Sequence, residues 1–205
     1  SSIKGFIVPT DADGFTARDQ KGKLSLLASD TSELALDDVR VGEDALLPES
    51  GGLKSPLMCL TQARYGIAFG AVGAAMACYD EALSYAKERV QFGDKPIAAT
   101  QLQQARLAEM LTDITQGQLL TLQLGRLKDE GTMRPQQVSL AKRAMVDMAT
   151  EAAREARRLL GANGILVEYS AMRHMANLES VYTYEGTHDI HTLILGQDIT
   201  GYPAF

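Results

Sequence analysis

The sequence predicts an α+β chain, a short β-segment followed by an antiparallel α-helical bundle. Two observations carry this. Short apolar runs broken by turn residues fill the first 48 or so positions, and from about residue 54 the apolar residues recur at threes and fours instead. The connections between the three longest helical stretches are also short, which is how neighbouring antiparallel helices are joined.

The β-segment is read from Ile3, Phe6 to Val8, Leu24 to Leu27, Leu34 to Leu36 and Val39 to Val41, about four short strands with turns at Asp13-Gly14 and Lys21-Gly22. Such a sheet has unpaired edges and needs neighbours. Turn residues cluster at Pro48-Glu-Ser-Gly-Gly52, so the boundary is drawn there, giving residues 1–52 as the end of a β-domain and 53–205 as the bundle. The first helix runs from about 54 to Arg89, with Leu57, Leu60, Ile67, Ala71, Ala74, Ala75, Ala82 and Ala86 on one side. A second runs from about Thr100 to Lys128, with Leu107, Met110, Leu111, Ile114 and Leu122 as its buried face. Pro135 suits the first turn of a third, which carries Val138, Ala141, Met145, Met148, Ala152 and Ala156 and stops at Gly161. A short helix around Ser170 to Asn177 and a last one from about Thr187 to Thr200 complete the set.

At 205 residues the chain is long enough to bury a core. Acidic residues outnumber basic ones 26 to 20, which argues against nucleic acid as a partner. No apolar run approaches the ~20 residues of a membrane span. Cys59 and Cys78 fall on one helix roughly 28 Å apart along its axis, too far to bond, so both read as reduced thiols. The start, Ser1-Ser-Ile-Lys-Gly-Phe-Ile-Val8, has no charged region leading into a long apolar stretch, so no secretory signal is expected. It reads as the middle of a strand, as though the chain begins inside a domain.

The most informative stretch is Val181-Tyr-Thr-Tyr-Glu-Gly-Thr-His-Asp-Ile-His191. It sets one carboxylate, Glu185, among Val181, Tyr182 and Tyr184, and a carboxylate that loses water becomes a better proton acceptor near neutral pH. Gly186 lets a ligand approach the backbone, Thr187 is a candidate N-cap, and Asp189 suits a helix start. From these residues alone Glu185 is either a tuned base or a solvated loop carboxylate. Arg89-Val-Gln-Phe-Gly93 ends the first helix with a cation suited to a phosphate or to the helix terminus itself. Leu160-Gly-Ala-Asn-Gly-Ile165 is either a loop open to a diphosphate or an ordinary helix stop. Glu185-x-x-His188 has di-iron spacing, but such sites use two copies and two further glutamates, and neither His174 nor His191 follows a glutamate at that distance. No metal ligands are therefore assigned, and a metal-binding bundle is a minor alternative.

Taken in order, these segments resemble the acyl-CoA dehydrogenases. The resemblance rests on Ala63-Arg-Tyr-Gly-Ile67, Arg89-Val-Gln-Phe-Gly93, Leu124-Gly-Arg-Leu-Lys-Asp129, Leu160 to Ile165 and Tyr184 to His191, with Lys23 to Glu33 in the β-segment. Glu-Gly-Thr-His-Asp-Ile-His together with Ala-Arg-Tyr-Gly-Ile is similar to the glutaryl branch. The fold implied is the C-terminal type of that family, the later strands of its middle β-domain plus its C-terminal four-helix bundle. The chain then corresponds to the second half of a subunit.

The resemblance implies FAD as cofactor, an acyl-CoA as substrate, electron-transfer flavoprotein as electron acceptor, a homotetramer, and a bacterial cytoplasmic or mitochondrial-matrix location. It implies oxidation of glutaryl-CoA with loss of CO2 to give crotonyl-CoA. Glu185 would remove the α-proton while the β-hydride leaves to the flavin, and its main-chain amide would help hold the thioester oxygen. Tyr184 is associated with the decarboxylating type. Gly186, the stretch Leu57, Met58, Cys59, Leu60, Thr61, Gln62, Ala63 and Arg64, and Phe205 would contact the acyl-CoA. Arg89 and Gln101 would hold the FAD diphosphate and adenosine portion, from a neighbouring subunit's cofactor. Arg158, Leu159, Leu160, Gly161 and Ala162 would approach the same region, and Thr187, His188 and Asp189 would contact FAD beside the carboxylate. Two departures bear on those FAD contacts: Gly161-Ala162 stands where the family has Gly-Gly, and the turn from Arg89 to Gln101 is one residue longer than expected. The competing reading is an isolated half-chain that is catalytically silent and acts as an assembly module.

Overall fold

The computed structural model describes residues 3–203, which form two compact units divided between Gln62 and Ala63. The first unit holds two strands, β1 (Phe15–Asp19) and β2 (Ser32–Leu36), paired antiparallel from Phe15 opposite Leu36 to Asp19 opposite Ser32. Gly14 starts this ladder with φ +85°, and its carbonyl accepts the Asp37 N–H at 3.0 Å. A Cβ at Gly14 would lie 2.1 Å from the Asp37 carbonyl oxygen, so only glycine fits the turn.

Three of the four expected strands are absent, and one strand was not foreseen. Leu24 to Leu27 is a turn-rich loop gathered by Lys23, whose ammonium donates to the carbonyls of Leu26 at 3.2 Å and of Ser29, and to Thr31 Oγ1 at 2.8 Å. Val39 to Val41 lies outside any ladder, and Phe6 makes only an isolated bridge to Leu46. β1, Phe-Thr-Ala-Arg-Asp, has no apolar run to announce it; the Gly14 turn and its pairing with β2 create it. Apolar content alone did not distinguish loop from strand in a segment where Leu24, Leu34 and Leu36 are all exposed.

Helix α1 (Lys54–Glu88) begins in the first unit and continues into the second, which adds α2 (Gln101–Asp129), α3 (Pro135–Leu159), α4 (Ala171–Thr183) and α5 (His188–Thr200). This mostly helical chain with a two-stranded antiparallel sheet is the α+β class expected, and α1, α2, α3 and α5 lie within about a residue of their predicted limits. α3 is the hub, packing on α2, α4 and α5. Its buried stripe is rich in alanine, with Ala141, Ala149, Ala152, Ala153 and Ala156 all buried, so neighbouring helices come close. The α2 contact is tight at Gly117, where a Cβ would sit 2.9 Å from both Met145 Sδ and Met148 Cε. That crossing turns the buried face of α2 to Leu107, Met110, Ile114, Gly117, Thr121 and Leu124, and leaves the expected core residues Leu111 and Leu122 about half exposed.

α4 runs six residues beyond its expected end, because Leu178 is buried and Val181 packs on the core. Its start is capped from a distance: the Glu81 carboxylate on α1 accepts the Ser170 and Ala171 N–H groups at 2.8 and 3.0 Å. Gly161 follows α3 with φ +61°, the left-handed stop expected of it.

Candidate active site

Four helices shape the loop that carries Glu185. The α4 C-terminus delivers it, with the Tyr184 N–H donating to the Ser180 carbonyl at 2.8 Å. α5 receives it through Thr187, the expected N-cap, whose hydroxyl accepts the Ile190 N–H at 3.2 Å. Between them Glu185 and Gly186 have φ of +57° and +97°. A left-handed glutamate costs about 1–2 kcal/mol, so the surroundings must hold it there. Arg64 on α1 donates Nε–H to the Glu185 carbonyl at 2.6 Å. Lys142 on α3, 1% exposed, donates from Nζ to the Gly186 carbonyl at 3.0 Å and to the Tyr182 carbonyl at 3.4 Å.

One carboxylate oxygen of Glu185, Oε2, is buried and finds no hydrogen-bond partner among the described residues. A buried acceptor left open is costly in a resting protein and useful where a ligand must be met. Gly186 is packed from behind: a Cβ would lie 3.0 Å from His191 Nε2 and 3.2 Å from Arg64 Nη2. His191 is fully buried and holds its charge off, with its pKa lowered to about 4 by burial and by the Lys142 and Arg64 cations. The Glu185 backbone beside its ring pulls the other way, although neither ring nitrogen makes a hydrogen bond of ordinary geometry. Burial also lowers Lys142 to about 8, with Arg64 acting in the same sense and the Glu185 carboxylate opposing. Burial, and then the same carboxylate, push the Tyr184 phenol above its ordinary range.

The aromatic surround differs from expectation. The Tyr182 ring is committed elsewhere, stacked on His188 with centroids 4.4 Å apart and planes 1° from parallel, while His188 Nδ1 faces Asp147 Oδ1 at 3.5 Å. Val181 is partly buried and packs against the helical core. The near neighbours of Glu185 are instead Tyr184 and the basic trio Arg64, Lys142 and His191. Among the described residues no group of three or more His, Cys, Asp or Glu side chains is disposed to hold a metal ion.

A second concavity, of about 370 Å³, lies where the α1 C-terminus, the turn before α2 and the α3 C-terminus meet. It brings together Arg89, Arg158, Leu159, Leu160, Gly161 and Ala162 as the sequence suggested, and adds Tyr85, Gln91, Thr100, Gln103 and Asn163. The Asn163 side-chain amide donates to the Tyr85 hydroxyl at 3.1 Å. Gln101 does not line it; the side chains there are Gln91 and Gln103. Arg158 is paired with Glu155, whereas Arg89 has no ion pair among the described residues. Nothing lies within 4 Å of a Cβ built on Gly161, so the backbone is open on that side. Two guanidinium groups, side-chain amides and an unobstructed backbone suit a diphosphate.

Of the remaining predicted residues, Leu57, Met58 and Cys59 are exposed on the first turns of α1, with Leu60 and Thr61 half-buried and Gln62 and Ala63 exposed. Asp189 is exposed in the first turn of α5, and Phe205 lies outside the described residues. Sequence reasoning missed Lys142, Gln103 and Asn163 as individual side chains. Lys142 had a signal: it interrupts the apolar stripe of α3, four residues after Val138 and three before Met145.

The sequence pattern of the family described as acyl-CoA dehydrogenase, C-terminal domain, matches residues 50–200. The chain belongs to this acyl-CoA dehydrogenase family. A glutaryl-CoA dehydrogenase from Mycobacterium smegmatis is 55% identical and superposes with a TM-score of 0.96 over 98% of this chain and 52% of its own. A glutaryl-CoA dehydrogenase from the same organism in complex with FADH2 is 50% identical, with the same score and coverage. The mitochondrial short-chain specific acyl-CoA dehydrogenase of Bos taurus is 35% identical over 194 residues, 94% of this chain and 47% of its own. The chain thus spans about half the length of these acyl-CoA dehydrogenases. Among its described residues no helix is long and apolar enough to cross a membrane.

Proposed function

We propose that this chain supplies the base and part of the cofactor cradle of an FAD-dependent acyl-CoA dehydrogenase that oxidises and decarboxylates glutaryl-CoA to crotonyl-CoA and CO2. The observation that carries the reading is Glu185: a carboxylate oxygen buried without a partner, on a left-handed residue whose carbonyl is held by Arg64. Glu185 takes the α-proton of the thioester. Its main-chain amide, set by the held loop, donates to the thioester oxygen as negative charge develops there. After CO2 leaves, Glu185 returns a proton to the product. FAD, when bound, supplies the hydride acceptor.

Thr187, His188 and Asp189 contact the FAD beside the carboxylate, while Arg89 and Gln101 hold the diphosphate and adenosine portion of a neighbouring subunit's FAD, a region that Arg158 to Ala162 approach. Leu57 to Arg64, Tyr184, Gly186 and Phe205 contact the acyl-CoA. The complete enzyme is a homotetramer that passes electrons to electron-transfer flavoprotein in a bacterial cytoplasm or mitochondrial matrix, with its middle β-domain ending near residue 52. Support for the glutaryl substrate over shorter acyl chains comes from the 55% identity to the mycobacterial glutaryl-CoA dehydrogenase against 35% to the bovine short-chain enzyme, and from Tyr184 beside the base.

The test is anaerobic flavin reduction in the assembled enzyme containing this chain, with glutaryl-CoA and butyryl-CoA compared and CO2 measured. Faster reduction by glutaryl-CoA with stoichiometric CO2 is expected. Reduction by butyryl-CoA alone would overturn the substrate assignment, and a colourless protein that takes up no FAD would favour the assembly-module reading.

A further inference from the structure

We propose that Lys142 is the positioning residue of the Glu185 loop, pinning the backbone on both sides of the carboxylate and holding Glu185 in its left-handed conformation. The inference rests on the reading of Glu185 as the base.

Lys142 sits about two turns into α3, the helix on which α2, α4 and α5 all pack, so its backbone is well supported. Its side chain is 1% exposed, and taking an ammonium out of water costs several kcal/mol unless its N–H groups are used. They are directed at two main-chain carbonyls, Tyr182 before Glu185 and Gly186 after it. The first belongs to the last turn of α4, where carbonyls lack helical partners. The second belongs to the peptide that follows the left-handed pair. No carboxylate forms an ion pair with Lys142 among the described residues. Around it the Arg64 cation disfavours its charge and the Glu185 carboxylate favours it.

A merely structural closure of α4 needs only one neutral donor to one carbonyl. An ammonium retained against burial and against Arg64, reaching across the loop to residue 186, instead fixes where the Glu185 side chain and its amide can point. Arg64 grips the carbonyl of Glu185 itself, so carbonyls 182, 185 and 186 are all tied to cations on α1 and α3. Without Lys142, the Gly186 carbonyl loses the only such tie it has among the described residues, and glycine's freedom returns to the loop.

The test uses the assembled, FAD-loaded enzyme with Lys142→Met, Lys142→Gln and Glu185→Gln in parallel. Bound flavin per chain, Tm, and the rate and KM of flavin reduction by glutaryl-CoA are measured. Lys142→Met is expected to keep its flavin and KM while the reduction rate falls roughly 10- to 100-fold, the range expected for losing a charged donor. Lys142→Gln, which retains an N–H donor, is expected to recover part of the rate and decides the matter if the methionine variant does not fold. A flavin-loaded Lys142 variant of either kind that reduces at the wild-type rate would overturn the proposal, as would losses confined to flavin content and Tm. A wild-type rate in Glu185→Gln would instead overturn the assignment of the base.

Discussion

The two candidate sites sit at different parts of one helix and are built differently. About two turns into α3, buried Lys142 and His191 join the half-buried Arg64 in a basic cluster that holds the Glu185 loop in an uncommon backbone conformation. At its C-terminus, the cleft of Arg89, Arg158 and Gly161 is open: Phe92 on its rim is 93% exposed, and both arginines face solvent. The carboxylate loop is organised by the chain's own interior, whereas the cleft offers charge and space that a ligand would organise. Reacting groups must be held before the reaction begins, while a diphosphate can be gripped by flexible cations.

The comparison breaks most visibly at the base. Glu185→Gln is expected to slow flavin reduction by about 10²- to 10⁴-fold, with flavin content unchanged. Next, Gly186→Ala places a methyl against His191 and Arg64 at a position of φ +97°. A cost of about 1–3 kcal/mol is expected, seen as a lower Tm together with slower reduction. At the cleft the pattern should reverse. Arg89→Ala is expected to weaken FAD binding roughly tenfold, in line with loss of a charge-assisted hydrogen bond, with little change in the Tm of the cofactor-free protein. Ala162→Gly, which restores the family's Gly-Gly, is expected to change FAD affinity only a few-fold, read by titration of flavin fluorescence.

His191 sharpens the difference through pH. Its folded-state pKa of about 4 lies below its ordinary value of 6.5, so between those values the unfolded chain binds more protons. The stability it contributes is complete above pH 6.5 and is lost as pH falls toward 4. His174, also lowered by burial and by Arg173, adds to the same slope, so the signal is the difference between wild type and His191→Gln in urea midpoints across that window.

Much of this was legible in the sequence, and what was missing has physical causes. The helices α1, α2, α3 and α5 announced themselves by period and by local stops such as Pro135, Gly161 and Thr187. The β-segment did not, because Leu24 to Leu27 looks like a strand and becomes a loop only through Lys23, which reaches along the chain to the Leu26 and Ser29 carbonyls. Glu185 is visible from its neighbours in sequence, but only some of those neighbours surround it in the fold. Tyr182 was expected to shield it and is stacked on His188 instead. The supports that matter, Arg64 and Lys142, lie 121 and 40 to 44 positions away from the carbonyls they hold, beyond the reach of any local pattern.

The most direct measurement is exchange of the thioester's α-protons with deuterated solvent in the assembled enzyme, followed by mass spectrometry for wild type and Glu185→Gln. If Glu185 is the held base, the wild type exchanges the bound thioester's α-protons and the variant does not. Exchange at an undiminished rate in Glu185→Gln would contradict the account.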